Sequence, residues 1–260
     1  MTLEGLMVST STRRILATTA ALLVTILSVG CGSPADPSAL YRERGYPAAP
    51  AQHLADVGRT GAGPDGGPIA SLPDPVWVTR AAQRTRIPDR VLVAYAGASL
   101  RLSVDRPGCG IGWNTLAGIG AVESLHGSYD GAIVGSSGAV TPPIVGVPLD
   151  GSDGVMAIPD TDGGALDSDA EWDRAVGPMQ FIPTTWRRYA QDGNGDGETD
   201  PQQIDDAVLT AASYLCERGE DLTTDDGWNA AIAAYNRSRP YARDVADHAH
   251  TFTQPSAAGV

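Results

Sequence analysis

Glu123 is the residue in this sequence best placed for acid–base chemistry. It ends the stretch Gly118-Ile119-Gly120-Ala121-Val122-Glu123, with Leu116, Ile119 and Gly120 seven, four and three residues before it. Those spacings return to one face of a helix, so the carboxyl points where its apolar neighbours point. Lost hydration disfavours the charged form and raises the pKa. A carboxyl kept protonated near neutral pH is what a general acid for glycosidic cleavage needs. The plainer reading of the same residues is a Glu at a helix end that reaches solvent or pairs with an arginine.

Two further stretches carry chemistry. In Gly177-Pro178-Met179-Gln180-Phe181-Ile182-Pro183-Thr184-Thr185-Trp186, glycine before proline lets backbone approach a ligand closely. Gln180 is a neutral amide among apolar residues, suited to sugar hydroxyls or acetamides. In Asp192-Gly193-Asn194-Gly195-Asp196-Gly197-Glu198, oxygen side chains alternate and glycine stands sixth, as at the start of an EF-hand calcium loop. The pattern departs at the twelfth position, where Gln203 replaces Glu, with Asp205 and Asp206 following. A polar turn without an ion is the alternative. The four histidines lack metal-ligand spacing; His126 is placed to border a cleft, and His53, His248 and His250 to lie in linker or surface.

Gly-Pro-Met-Gln-Phe-Ile-Pro-x-x-Trp, about fifty residues after a helical Glu-Ser-x-x-Gly, resembles the lytic murein transglycosylases, and most nearly membrane-bound lytic murein transglycosylase B. Ala234-Tyr235-Asn236-Arg237 resembles the family's Tyr-Asn motif near the cleft. The resemblance implies a mainly α-helical, lysozyme-like fold and an enzyme acting on peptidoglycan glycan strands. Glu123 would be its single catalytic acid and base, cutting the β-1,4 bond between N-acetylmuramic acid and N-acetylglucosamine to leave a 1,6-anhydro end. No second catalytic carboxylate is required, unlike the usual glycosidase pair, and no cofactor serves the chemistry. Gln180, Tyr235, Asn236 and, more weakly, Ser124 would position sugar. The resemblance also implies a structural Ca2+ held by Asp192, Asn194, Asp196, the Glu198 carbonyl and Asp206. A muramidase that uses water and a non-catalytic peptidoglycan-binding lipoprotein are the competing readings.

The elements that must position these residues are mostly helices. Asp74-Pro75, an N-cap followed by proline at the first helical position, opens a helix to about Arg84. Another follows Ile87-Pro88-Asp89, and the Glu123 helix runs from about Trp113 to Leu125. Helical signals return at Pro183 and at Ile204, Val208, Ala211 and Leu215, ending at Gly219 as a C-cap. Asp226–Asn236 and Tyr241–Phe252 make the last two. Between them, residues 131–171 hold eight Gly and four Pro, which disfavours a long helix. This insertion reads as an excursion bordering the cleft, with Ile144–Leu149 and Val155–Ile158 as a small β-hairpin. The catalytic domain is therefore expected over 74–253, with the EF-hand-like loop at 192–206 and a disordered tail at 254–260.

The flanks read differently. Arg13 and Arg14 precede an apolar run from Ile15 to Val29, which makes 1–30 a secretory signal peptide. Leu27-Ser28-Val29-Gly30-Cys31 resembles a bacterial lipobox, with Ser28 as the departure, and implies lipidation of Cys31. Residues 31–73, rich in Gly, Pro, Ala and Asp, read as a flexible tether. The protein is thus expected outside the cell membrane, anchored there by lipid or released to the wall. Setting Cys31 aside leaves Cys109 and Cys216 as a pair in an oxidising compartment. A net charge of -13 argues against nucleic acid as a partner, and a monomer is expected.

Overall fold

A computed structural model describes residues 45–56, 67–152 and 154–254. The signal segment, Cys31 and most of the expected tail lie outside the described residues. Among those described, the fold is mainly α-helical, as expected. Its helices are α1 (Pro75–Thr85), α2 (Asp89–Asp105), α3 (Trp113–Ser124), α4 (Pro183–Tyr189), α5 (Ile204–Gly219), α6 (Asp225–Tyr235) and α7 (Arg239–Thr251).

The sequence accounts for these boundaries. Asp74 Oδ1 accepts the Trp77 amide at 2.8 Å at the head of α1. Gln203 Oε1 accepts the Asp205 and Asp206 amides at the head of α5, Thr224 Oγ1 the Gly227 amide in α6, and Ser238 Oγ the Tyr241 amide in α7. Each satisfies a donor that the first helical turn leaves orphaned. One boundary differs: α5 takes in Gly219, and Glu220 adopts the left-handed φ of 61°.

Helix α3 is the centre of the packing. Trp113 through Ala121 are all buried, so the helix is enclosed all round rather than amphipathic. Its glycines permit this. A Cβ at Gly118 would lie 2.6 Å from the Val245 carbonyl oxygen of α7, and one at Gly120 would lie 1.9 Å from the Tyr95 hydroxyl of α2. Neighbouring helices press onto α3 where side chains are missing. The expected disulfide is present, joining Cys109, just before α3, to Cys216 of α5 across 107 residues. In the chain-entropy account a loop of that size contributes on the order of 4 kcal/mol.

The insertion is folded, and its pairing corrects the expected hairpin. β1 (Ile133–Val134) pairs antiparallel with β2 (Val140–Thr141). β3 (Val145–Pro148) pairs antiparallel with β4 (Arg174–Val176), in register Val145 with Val176 and Pro148 with Arg174. The expected partner, 155–158, contributes an isolated bridge between Ala157 and Asp150 and an Ile158 amide bond to the Leu149 carbonyl at 2.7 Å. The reason lies in β4. Val176 is fully buried, and the buried Asp167 accepts the Arg174 amide at 2.6 Å, so β4 is fixed in place and takes the free edge of β3. Gln202, at the end of the acidic loop, both donates to the Ile144 carbonyl and accepts its amide.

The tether expectation is corrected over 45–56 and 67–73. Residues 45–56 lie against the helices, with Ala55 buried, and Ile69 is fully buried in a short 3-10 turn, Ile69–Ser71. The ordering of 45–56 comes mainly from polar contacts: the buried Asn114 and Asn229 hydrogen-bond its backbone. A reading by hydrophobic pattern does not see such contacts.

Candidate active site

Glu123 is the second-last residue of α3, and its carboxyl is half-buried. Tyr241, in the first turn of α7, donates its hydroxyl to Glu123 Oε1 at 2.6 Å. Burial pushes the Glu123 pKa up to about 7, and the Tyr241 hydrogen bond holds it down in part. The same burial, together with the Glu123 charge, keeps the Tyr241 and Tyr235 hydroxyls protonated far above their ordinary range. Tyr241 is therefore a permanent donor and Glu123 is the group that titrates. Among the described residues no second carboxylate contributes to the shift of Glu123.

The Gly-Pro-Met-Gln stretch is a tight turn between Val176 and Phe181, whose amides and carbonyls bond each other at 2.9 and 3.0 Å. Successive carbonyls fasten it to the helices. Ser124 Oγ donates to the Pro178 carbonyl at 2.6 Å, and Tyr235 Oη donates to the Met179 carbonyl at 2.7 Å. The turn is thus tied to α3 one residue beyond Glu123 and to the last residue of α6. Tyr235 also packs on Phe181 and on Tyr214, with ring centroids 5.8 and 6.0 Å apart.

These contacts revise the roles expected of single residues. Ser124 is buried and also accepts the Gly127 amide at 2.8 Å, so it is an anchor between helix and turn and not a contact for sugar. Gln180 stands at φ 49° and donates its amide to the Gly177 carbonyl at 3.0 Å, and its Oε1 lies beside Gly146 of β3, 3.1 Å from where a Cβ there would stand. Asn236 is exposed, and its Oδ1 accepts the Ser238 amide at 2.9 Å, which leaves its NH2 free. His126 does not open onto solvent as an acid. Its Nδ1 lies 3.2 Å from Tyr95 Oη and its ring packs near Phe252, and burial, aided by His248, pushes its pKa down to about 4.

Tyr241 was not legible as a site residue, because it falls on the apolar face of α7 with Val245 and Phe252. The available signal is chemical: a buried tyrosine hydroxyl needs a partner. A hollow of about 310 Å3 between residues 52–54 and the Gly110–Gly112 turn includes none of the site residues.

The acidic loop brings its expected ligands around one turn. Asp192 accepts the Gly195 and Gly197 amides at 2.6 and 2.8 Å, and Asp196 accepts the Glu198 amide at 2.9 Å. Asn194 Nδ2 donates to Asp196 at 2.8 Å. Asp206 reaches back from α5 to accept the Gly193, Asn194 and Asp200 amides. Burial, with a contribution from the Asp192 charge, pushes the Asp206 pKa up to about 6. Asp192, Asp196 and Asp206 are hard oxygen donors of the kind a divalent cation takes, and in this structure they accept amides of their own loop. Asp160, Asp162 and Asp173 converge within 4.8 Å, and each likewise accepts hydrogen bonds from its own loop.

The chain matches known proteins at the level of this domain. Residues 160–230 match the family model described as Transglycosylase SLT domain, about a quarter of the chain. The matched segment contains the Gly-Pro-Met-Gln turn and the acidic loop but not Glu123 or Tyr235. Among solved structures, SltB3 from Pseudomonas aeruginosa in complex with NAG-anhNAM-pentapeptide is 18% identical with a TM-score of 0.41, covering 70% of this chain and 65% of its own. The Escherichia coli lytic transglycosylase Slt35 in complex with bulgecin A is 16% identical with a TM-score of 0.41, covering 74% of this chain and 80% of its own. This chain therefore spans about two thirds of the SltB3 chain. No curated protein matches it.

The raised pKa has a consequence for stability. The folded state holds the Glu123 proton up to about 7, against an ordinary value of 4.5. The contribution of this group is therefore fully present below pH 4.5 and is lost as pH rises through 7. Glu123→Gln, which imitates the protonated form, should melt several degrees above the wild type at pH 8, on the order of 2 kcal/mol, and nearly with it at pH 4. Calorimetry at the two pH values checks this; an increment independent of pH contradicts it.

Proposed function

We propose that the protein is an exported lytic murein transglycosylase acting in cell-wall remodelling. The observation that carries this reading is the half-buried Glu123 carboxyl, pushed up to about 7 and held by Tyr241, fastened through Ser124 to a turn within the transglycosylase domain. Protonated Glu123 gives its proton to the glycosidic oxygen as the bond from that oxygen to the muramyl anomeric carbon breaks. The carboxylate, steadied by the Tyr241 hydroxyl, then takes the proton of the muramyl 6-hydroxyl as that oxygen bonds to the anomeric carbon. The proton is back where it began, and no water is consumed. The substrate's own acetamido group steadies the positive centre between the two steps. Gln180 and the Asn236 NH2 are the polar groups expected to meet sugar, and Tyr235 sets the turn that presents Gln180.

Glu123→Gln should retain fold and glycan binding and lose turnover of purified cell wall by at least about a hundredfold, since general acid help alone is typically worth 10² to 10⁴ and this group serves twice. Mass spectrometry of wild-type products should find 1,6-anhydromuramic ends. Near wild-type turnover in the variant would remove Glu123 from the mechanism. Reducing ends alone would make the enzyme a hydrolytic muramidase, and binding without turnover in the wild type would make it a binding protein.

We also read the acidic loop as a structural Ca2+ site built from Asp192, Asn194, Asp196, the Glu198 carbonyl and Asp206, pinning the head of α5. Adding calcium to chelated protein should raise its Tm, and Asp196→Ala should remove most of that increment. Equal melting with calcium and with chelator sinks the site. The Cys31 context supports a lipid anchor on the outer face of the membrane.

A further inference from the structure

One extended segment, residues 45–56, reaches all three helices that carry Glu123, Tyr235 and Tyr241. On α3 it meets the amino-terminal turn. Gln52 Oε1 accepts the Gly112 amide at 2.8 Å and the Thr115 hydroxyl at 2.9 Å. Asn114 accepts the His53 amide at 3.0 Å and donates to the Ala51 carbonyl at 2.9 Å. On α6, Asp225 accepts the Ala49 amide at 2.8 Å and Asn229 donates to the Pro47 carbonyl at 3.0 Å. At α7, Tyr46 Oη donates to the Arg237 carbonyl and Arg243 to the Gly45 carbonyl, both at 3.0 Å. We propose that residues 45–56 are a positioning strap that fixes the corner between α6 and α7, and through it the placement of Tyr241 against Glu123.

The geometry of the corner gives the strap its leverage. Only Asn236, Arg237 and Ser238 separate α6 from α7. Tyr235 is the last residue before the corner and Tyr241 the third of the next helix, so the bend of three residues sets where both hydroxyls fall. The strap grips both sides of it: Asn229 lies six residues before Tyr235, Arg237 lies within the corner, and Arg243 lies two residues after Tyr241. Nor are these contacts incidental. Asn114 and Asn229 are both at 0% exposure, and a buried amide stripped of its partner carries its full desolvation cost. Burial holds the Glu123 pKa up and the Tyr241 hydrogen bond holds it down, with the Tyr235 hydroxyl near enough to feel the Glu123 charge, so the strap acts on the titration through the Tyr241 bond while the carboxyl stays buried. Weakening the Tyr241 bond, which holds the pKa down, lets it rise.

The kinetic half of the test rests on the proposed transglycosylase reading; the titration half does not. In the full chain, Tyr46→Ala combined with Asn229→Ala should lower kcat on purified peptidoglycan at least about fivefold, with KM within about twofold, a split that points to placement of the reacting group rather than to uniform binding. The Glu123 carboxyl, followed by 13C NMR, should titrate at least about half a unit higher than in the wild type, as loss of a hydrogen bond to the charged form requires. Tyr46→Phe, which keeps the ring and removes only the hydrogen bond to the Arg237 carbonyl, should move both measures in the same direction by less than the double variant. Leu100→Ala, a buried substitution in α2, should lower Tm while leaving both unchanged. If the double variant does not fold, Asn229→Ala alone is read the same way. An unchanged kcat and titration in the strap variants, a rise in kcat, or equal effects from Leu100→Ala each overturn the proposal. If the wild type turns over no peptidoglycan, the reaction assigned above fails and the titration alone decides the strap.

Discussion

The site depends on one constraint: an ionisable carboxyl sits at the end of a helix that the rest of the fold encloses. Helix α3 is buried from Trp113 to Ala121, and its glycines let α7 and Tyr95 of α2 close upon it. Glu123 is carried on that core element and so pays desolvation that a surface helix would not impose. Tyr241 answers the burial with a hydrogen bond, which stabilises the carboxylate without abolishing the rise. The result is a group near the midpoint of its titration at neutral pH, able to give a proton and take one back. A charge partner such as arginine would have locked the group ionised; a tyrosine hydroxyl leaves it free to change state.

The surrounding structure transmits that placement by short polar ties more than by further hydrophobic area. Ser124 and Tyr235 fasten two consecutive carbonyls of the Gly177–Phe181 turn. The side chain of Gln202 stitches the acidic loop to the insertion at Ile144. Arg90 of α2 meets both oxygens of Asp205 and the Ser136 and Ser137 carbonyls, holding the insertion to the head of α5. A cation in the acidic loop would act at the same junction, since Asp206 stands one residue beyond Asp205.

What was legible in the sequence follows the same division. Helix positions were readable because caps and apolar spacing are local: Asp74-Pro75 announces a start. Glu123 was readable because its face could be counted from Leu116 and Ile119, and the cysteine pair because an exported chain leaves few alternatives. The hairpin at 144–158 holds only at its tip, around Leu149–Ile158 and Asp150–Ala157, because the rest of the first strand makes a long-range choice of β4, decided by the buried Val176 and Asp167. Ser124 was given a ligand role that its contact with Pro178, 54 residues away, takes from it. Residues 45–56 read as tether because they lack apolar periodicity, while the side chains that order them, Asn114, Asp225 and Asn229, lie far along the chain. Tyr241 was hidden on an apolar face, its hydroxyl facing a partner 118 residues distant.

The central claim is that the fold, without any ligand, holds the Glu123 carboxyl protonated into the neutral range. It is tested most directly by following the 13C resonance of that carboxyl in the wild-type protein across pH 3 to 9, with Glu123→Gln identifying the signal. The account predicts a midpoint near 7. A midpoint near the ordinary carboxylate value of 4.5 would contradict it.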